Sequence, residues 1–309
     1  MRTTVAIGGP TGSGKSSIAL ALAGLINGEI VSCDSMQIYR GLDIGTAKDT
    51  PEERKAVAHW LLDIRDPDER YSVAEYVEDA RAAISDIESR GKTAIICGGT
   101  GLYMSALLAG TSFSAEHTRD DHVRDEITRK LELLGPEKLI DEIAEADPEY
   151  AGKLFANDTK RIVRALEIIR GGSTPSALNE ASLGDRLPCL GILVDCSERS
   201  VLYKRIESRC DRMISEGILE EAKYVYENRS SFETAAAAIG YKEFFPYFEG
   251  TKNINECLDE LKKATRHYAK RQLTWFRGHE TFTRICSDLM DSDEAAGVIY
   301  EMWKKGADQ

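Results

Sequence analysis

Residues 9–16 read Gly-Pro-Thr-Gly-Ser-Gly-Lys-Ser, a G-x-x-x-x-G-K-S spacing that follows the apolar run Thr4-Val-Ala-Ile. Between a strand and a helix, such a turn aims successive backbone N–H groups into one concavity, and a lysine adds positive charge where phosphate oxygens would sit. Gly9, Pro10, Thr11, Gly12, Ser13, Gly14, Lys15 and Ser16 are therefore expected to hold a di- or triphosphate. Residues 15–26 are rich in Ala and Leu, which predicts a helix whose positive N-terminal end faces the same anion. Ser16 is the candidate ligand for magnesium (Mg2+), the expected cofactor. A chance match in a glycine-rich turn is the alternative, but strand, motif and helix stand in register.

A second chemical group follows. Residues 29–33 form a short apolar run ending at Asp34, and βαβ logic makes it a second parallel strand with Asp34 at its carboxyl end, beside the phosphate loop. Ligand-binding groups collect along that edge of open α/β sheets. Residues 34–39 and the glycine-spaced 41–48 thus read as site loops. Pro51 is expected to open a short helix, 60–64 to be a strand, and 72–90 a helix with apolar residues at helical spacing closed by Gly91. Residues 92–97 read as a buried strand followed by Gly98-Gly-Thr-Gly101 and a helix over 102–108. This repeats the logic of the first turn and brings Thr100 to the same edge.

From residue 112 to 185 no strand pattern is visible; 123–134, 137–146 and 159–169 read as amphipathic helices separated by breaks. The β pattern returns at 189–195, followed by helices over 197–216 and to about 227, a long helix from 255 to 276, an edge strand at 281–286 and a closing helix over 295–304. The expected fold class is α/β, a P-loop NTPase-like parallel sheet flanked by helices. Its domains are a catalytic core over 1–111 and 187–309, including the C-terminal helices, and a helical insertion over 112–186.

The 309 residues carry a formal charge of −12, which argues against a broad nucleic-acid-binding surface. The charge is segregated, however. Lys262, Lys263, Arg266, Lys270, Arg271 and Arg277 lie in one acid-free stretch with His267, Tyr268, Trp275 and Phe276, while Lys160, Arg161, Arg164 and Arg170 enclose only Glu167. One face can then meet a polyanion while the rest stays acidic; solvated helix faces are the plainer reading. The seven-residue spacing of Tyr268 and Trp275 favours core positions for those rings. Seven scattered cysteines without paired spacing suggest packed, reduced thiols and neither disulfides nor a zinc site. No run approaches the length of a membrane span, and the N-terminus enters the first strand directly, so a cytoplasmic protein with no membrane partner is expected.

Four stretches together resemble the tRNA dimethylallyltransferase (tRNA isopentenyltransferase) family: GPTGSGKS at 9–16, DSMQIYRGLDIGTAK at 34–48, GGTGLY at 98–103 and NDTKRIVRALEI at 157–168. RIESRCDRMISEG at 205–217, AIGYKE at 238–243 and YAKRQLTWFRG at 268–278 are similar too. The likeness spans nearly the whole chain in order. It implies transfer of a dimethylallyl group from its pyrophosphate to the exocyclic amine of the adenosine just 3′ of a tRNA anticodon. Tied to it are roles for Asp34 as the catalytic aspartate, Thr11 at the pyrophosphate bridge and Arg209 reaching the diphosphate. Contacts to the anticodon stem-loop fall on Asp34, Ser35, Met36, Gln37, Thr100, Arg124, Lys160, Arg161, Ile162, Val163 and Arg164. The target base must be flipped out of its stack before the loop can reach it. No zinc-finger spacing follows Arg277, so the C-terminal extension of eukaryotic relatives is expected to be absent, and a monomer is expected.

The residues alone leave rivals open. Asp34 could be a helix cap or a magnesium ligand, and Arg209 could pair with Glu207, Asp211 or Asp195. A P-loop small-molecule kinase, an adenylate prenyltransferase acting on free nucleotide, and a non-catalytic RNA-binding ATPase switch would share the phosphate loop.

Overall fold

A computed structural model describes residues 4–111, 120–181, 184–279 and 281–307. The chain divides into two compact units, Met1–Leu108 with Leu187–Gln309, and Ala109–Arg186; the expected boundary at residue 112 lies outside the described residues.

In the first unit β1 (Thr4–Gly8), α1 (Lys15–Ile26), β2 (Gly28–Ser32), α2 (Pro51–Ala56), β3 (His59–Trp60), α3 (Val73–Ser89), β4 (Thr93–Gly98) and α4 (Gly101–Ala109) come first. The second unit is wholly helical among its described residues: α5 (Asp121–Leu134), α6 (Pro136–Ala146), α7 (Pro148–Ala151), α8 (Thr159–Arg170) and α9 (Pro175–Ala181). The chain then returns as β5 (Cys189–Asp195), α10 (Arg199–Glu216), α11 (Ile218–Glu227), α12 (Glu233–Ala236), α13 (Phe245–Phe248), α14 (Ile254–Arg277), β6 (Phe282–Cys286) and α15 (Ser292–Ala307).

The six strands form one parallel sheet in the order β3-β2-β4-β1-β5-β6. Every residue of β1 and β4 is buried, as continuous apolar runs covered on both faces must be. One face packs Ile18, Leu22 and Ile26 of α1 with Ile299 of α15, and the other packs Tyr76, Ile84 and Ile87 of α3 with Met104 and Phe276. Helix α3 starts where Ser72 and Glu75 form a reciprocal capping box. Parallel strands point their carboxyl ends the same way, which gathers the loops after β1, β2 and β4 along one edge.

The strand expected over 60–64 ends at Trp60. Leu61 and Asp63 take φ of 63° and 55°, a left-handed conformation that no strand sustains, and Asp63 is held there by Lys48 Nζ at 2.6 Å and Arg54 at 2.7 Å. Five of the seven thiols are buried and all are free. No helix among the described residues is long and apolar enough to cross a membrane.

Candidate active site

The loop after β1 turns on Gly12 and Gly14, at φ of +82° and +84°, and delivers Lys15 and Ser16 to the first turn of α1. No side chain caps that helix, so its leading amides keep their capacity for an anion. Lys15 is half-buried, and among the described residues its Nζ finds only the Pro10 carbonyl at 3.5 Å. Burial pushes the ammonium below the usual lysine range, partly offset by the nearby Cys97 and Asp34. Arg209, from α10, donates from Nη2 to Thr11 Oγ1 at 2.6 Å. Its Nε is buried without a partner among the described residues, and burial lowers its pKa also. The acids that could have neutralised Arg209 are taken: Glu207 by Arg266 at 2.7 Å, Asp211 by Lys262 at 2.5 Å, and Asp195 by Arg277 at 2.8 Å. Two desolvated cations without an ion-pair partner are costly unless an anion joins them.

The loop after β2 carries the carboxylate. Asp34 Oδ1 accepts the Met36 N–H at 2.9 Å, an Asx turn that fixes its backbone. Thr100, at the turn after β4, accepts the Ser35 N–H at 3.1 Å and reaches Ser35 Oγ at 3.4 Å. Gln37 turns its amide to the protein itself: Oε1 accepts from Ser32 Oγ at 3.1 Å, and Nε2 donates to the carbonyls of Thr46 and Ala47 at 3.3 and 3.2 Å. Loop 41–48 is fixed in turn by Glu221, whose carboxylate accepts the N–H groups of Asp43, Ile44 and Gly45 at 2.8, 3.0 and 2.9 Å and the Tyr241 hydroxyl at 2.7 Å.

Thr11, Lys15, Arg209, Asp34, Ser35, Met36 and Gln37 line one cavity of about 1050 Å³. Helix α14 completes it, with Tyr268 and Gln272 among its lining residues. Tyr268 lines the cavity instead of the core; its phenol is pushed above the usual range by burial and then by Asp34. The seven-residue spacing to Trp275 therefore marked a shared helix face, but that face covers the sheet edge. Phe276 is in the core. Gln272, which drew no notice in the sequence, accepts the Thr11 N–H at 2.9 Å and donates to the Gly99 carbonyl at 2.9 Å. Its spacing of four from Tyr268, placing both on one face, was the available signal.

Ser16 lines the same cavity as Asp34. No cluster of three His, Cys, Asp or Glu suited to a metal occurs among the described residues. Ser16 and Asp34 put a hydroxyl and a carboxylate on one cavity, the donor types that magnesium takes together with a ligand's phosphates.

The other expected contacts lie on the second unit. Arg124 and Arg164 both bind Glu167, at 2.9 and 3.1 Å, Arg161 pairs with Asp158 at 3.4 Å, and Lys160 is exposed. Ile162 and Val163 correct the expectation. They are 0% and 5% exposed inside that unit's own core, with Ile127, Leu139 and Ile143, because the helical period that turns Lys160, Arg161 and Arg164 outward turns them inward. Their side chains offer no surface to a partner.

A glycine-rich turn at the carboxyl edge of a six-stranded parallel sheet, sharing one cavity with an aspartate, defines an α/β protein with its site along that sheet edge. The chain belongs to the IPP transferase family, which it matches over residues 37–279. It is 43% identical over 306 residues to a tRNA dimethylallyltransferase from Lactobacillus helveticus, covering 98% of this chain and 99% of that one, and 41% identical over 303 residues to one from Geobacillus thermodenitrificans, covering 97% and 95%. Among solved structures it is similar to the tRNA isopentenylpyrophosphate transferase of Bacillus halodurans, at 37% identity and a TM-score of 0.72 over 100% of this chain and 99% of that chain. A eukaryotic dimethylallyltransferase acting on tRNA gives a TM-score of 0.81 at 28% identity, covering 97% and 78%.

Proposed function

We propose that the chain transfers a dimethylallyl group from dimethylallyl pyrophosphate to the exocyclic amine of the adenosine 3′-adjacent to the anticodon of a tRNA, releasing pyrophosphate. The observation that carries this reading is the pair of half-buried cations, Lys15 and Arg209, lacking an ion-pair partner among the described residues and lining one cavity with Asp34. The first turn of α1, Lys15 and Arg209 would take the diphosphate. As the bond from carbon to the bridging oxygen breaks, charge grows on the leaving group, and fixed donors stabilise it best where water is scarce. Thr11, whose oxygen already accepts from Arg209, keeps its hydroxyl proton for that leaving group. Magnesium, held through Ser16, would neutralise further diphosphate charge.

The acceptor amine is a weak nucleophile, because its lone pair is delocalised into the purine. It attacks the allylic carbon and must lose a proton as the new bond forms; Asp34 takes that proton as general base. Ser35 and Met36 would meet the acceptor, with Thr100 behind them holding the Ser35 N–H. Arg124, Lys160, Arg161 and Arg164 would meet backbone phosphates, which position the RNA without reading its sequence. A kinase or a free-adenylate prenyltransferase would use the same phosphate loop, but the relatives at about this chain's full length are named for tRNA. The test is direct. With magnesium and labelled dimethylallyl pyrophosphate, label should enter tRNA and not free AMP, and ATP should not be hydrolysed. Label on AMP alone, or ATP turnover alone, overturns the proposal.

A further inference from the structure

Gln272 joins the two glycine-rich turns of the site. Its residue is 6% exposed, and one side-chain amide spends its oxygen on Thr11 and its nitrogen on Gly99. The approach is so close that a Cβ on Gly99 would lie 2.2 Å from Gln272 Nε2. Each turn it grips is tied to residues that line the cavity, the first through Thr11 itself and the second through Ser35. Thr11 is bonded to Arg209 at 2.6 Å, and Thr100, next to Gly99, holds the Ser35 N–H beside Asp34 at 3.1 Å. The Thr11 N–H is also diverted from the anion that neighbouring amides face, which fixes how its side chain stands toward Arg209.

From this geometry we infer that Gln272 is a positioning residue, which sets the distance between the leaving-group side and the acceptor side of the cavity. The inference rests on the proposed prenyl transfer for its meaning but not for its test. A misplacement of about 1 Å between reacting groups is enough to slow a reaction on the order of a hundredfold.

The experiment uses Gln272→Glu and Gln272→Met in the full chain, with two readouts across pH 6 to 8.5: single-turnover transfer to tRNA, and affinity for magnesium pyrophosphate. A glutamate carboxylate keeps the acceptor for Thr11 but faces the Gly99 carbonyl with a second acceptor, which repels it. Burial without a donor raises a carboxyl's pKa. Lowering the pH therefore protonates the new side chain and restores the missing donor.

Gln272→Glu should slow transfer roughly 10- to 100-fold at pH 8.5, the cost of leaving one buried acceptor unpaired, and weaken pyrophosphate binding. Both ratios to the parent should recover as pH falls, while tRNA affinity stays within about twofold of the parent; Gln272→Met should be slow at every pH. Ratios for Gln272→Glu that stay flat with pH, or a Met variant within about twofold of the parent, overturn the inference. So does a fall in thermal midpoint and tRNA affinity that tracks the rate. A parent that binds pyrophosphate but transfers nothing to tRNA refutes the proposed function instead, and the pyrophosphate ratios still decide the role of Gln272.

Discussion

The two glycine-rich turns look alike as sequence, each following a buried strand and opening a helix, yet their glycines serve different physics. In the first, Gly12 and Gly14 sit at positive φ, and the glycine is required by the backbone's own shape. In the second, Gly98, Gly99 and Gly101 have ordinary dihedrals, and it is their neighbours that leave no room. A Cβ would lie 2.1 Å from the Cys33 carbonyl oxygen at Gly98, 2.2 Å from Gln272 at Gly99 and 2.5 Å from Trp275 at Gly101. The first turn is curved to receive an anion, whereas the second is thinned so that backbone, helix α14 and the β2 loop can close on one another. The same glycine pattern can thus encode either a concavity or a contact.

If the first turn serves the donor and the loop braced by the second serves the acceptor, variants on the two sides should fail differently. The largest effect belongs to the acceptor side: Asp34→Asn should slow single-turnover transfer by about 10²–10⁴-fold, the usual worth of a general base, with donor affinity little changed. Loss of donor affinity together with magnesium dependence would make Asp34 a metal ligand instead. Next come the glycines themselves. Gly98→Ala drives a methyl into backbone and should cost about 3 kcal/mol or more in thermal or denaturant unfolding, whereas Gly12→Ala pays mainly for its positive φ, about 1–2 kcal/mol. Equal losses would erase the distinction between the turns.

On the donor side, Lys15→Ala should weaken pyrophosphate binding roughly 10- to 100-fold, the worth of a hydrogen bond to a charged group. In the parent, burial depresses the Lys15 pKa. Raising pH therefore strips its proton earlier than an ordinary lysine's, and pyrophosphate affinity should fall on the alkaline side. Lys15→Arg, which stays charged, should lack that limb, and a limb that persists in it belongs to another group. The smallest effect lies on the second unit, where Arg161→Ala should lower the log–log salt slope of tRNA binding by about one unit or a little less. An unchanged slope would leave Arg161 as a solvated partner of Asp158.

Much of this was legible in the sequence because local patterns carry it. The buried strands announced themselves as apolar runs, the helices by their caps and period, and Lys15, Ser16 and Asp34 by their place after strands. What could not be read depends on long-range closure. Trp60 looked like the start of a strand until Lys48 and Arg54 pulled Asp63 into a left-handed turn. Tyr268 shares its period with Trp275, and a period reveals which residues share a face without revealing what that face meets. Gln272 bonds to groups 261 and 173 residues away, and no local pattern signals such a partner. Within NDTKRIVRALEI the opposite lesson holds: a motif that travels as one block contains both outward arginines and the inward Ile162 and Val163.

The separation of Gln272 from Thr11 also orders events during synthesis. The glycine-rich loop leaves the ribosome before the rest of the site: the amide that fixes it follows 261 residues later, and Ser287, which donates to the Ser13 carbonyl, follows 274 residues after its partner. At roughly 5–20 residues per second, that is an interval of roughly 13–55 s. For the earlier part of it the nascent β1 also lacks its neighbour β5, because Thr4 to Gly8 pair with residues 189–193. The earliest-made part of the site is therefore the last to become rigid, and a chain stalled before α14 would carry the glycine-rich motif without the brace that gives it its shape.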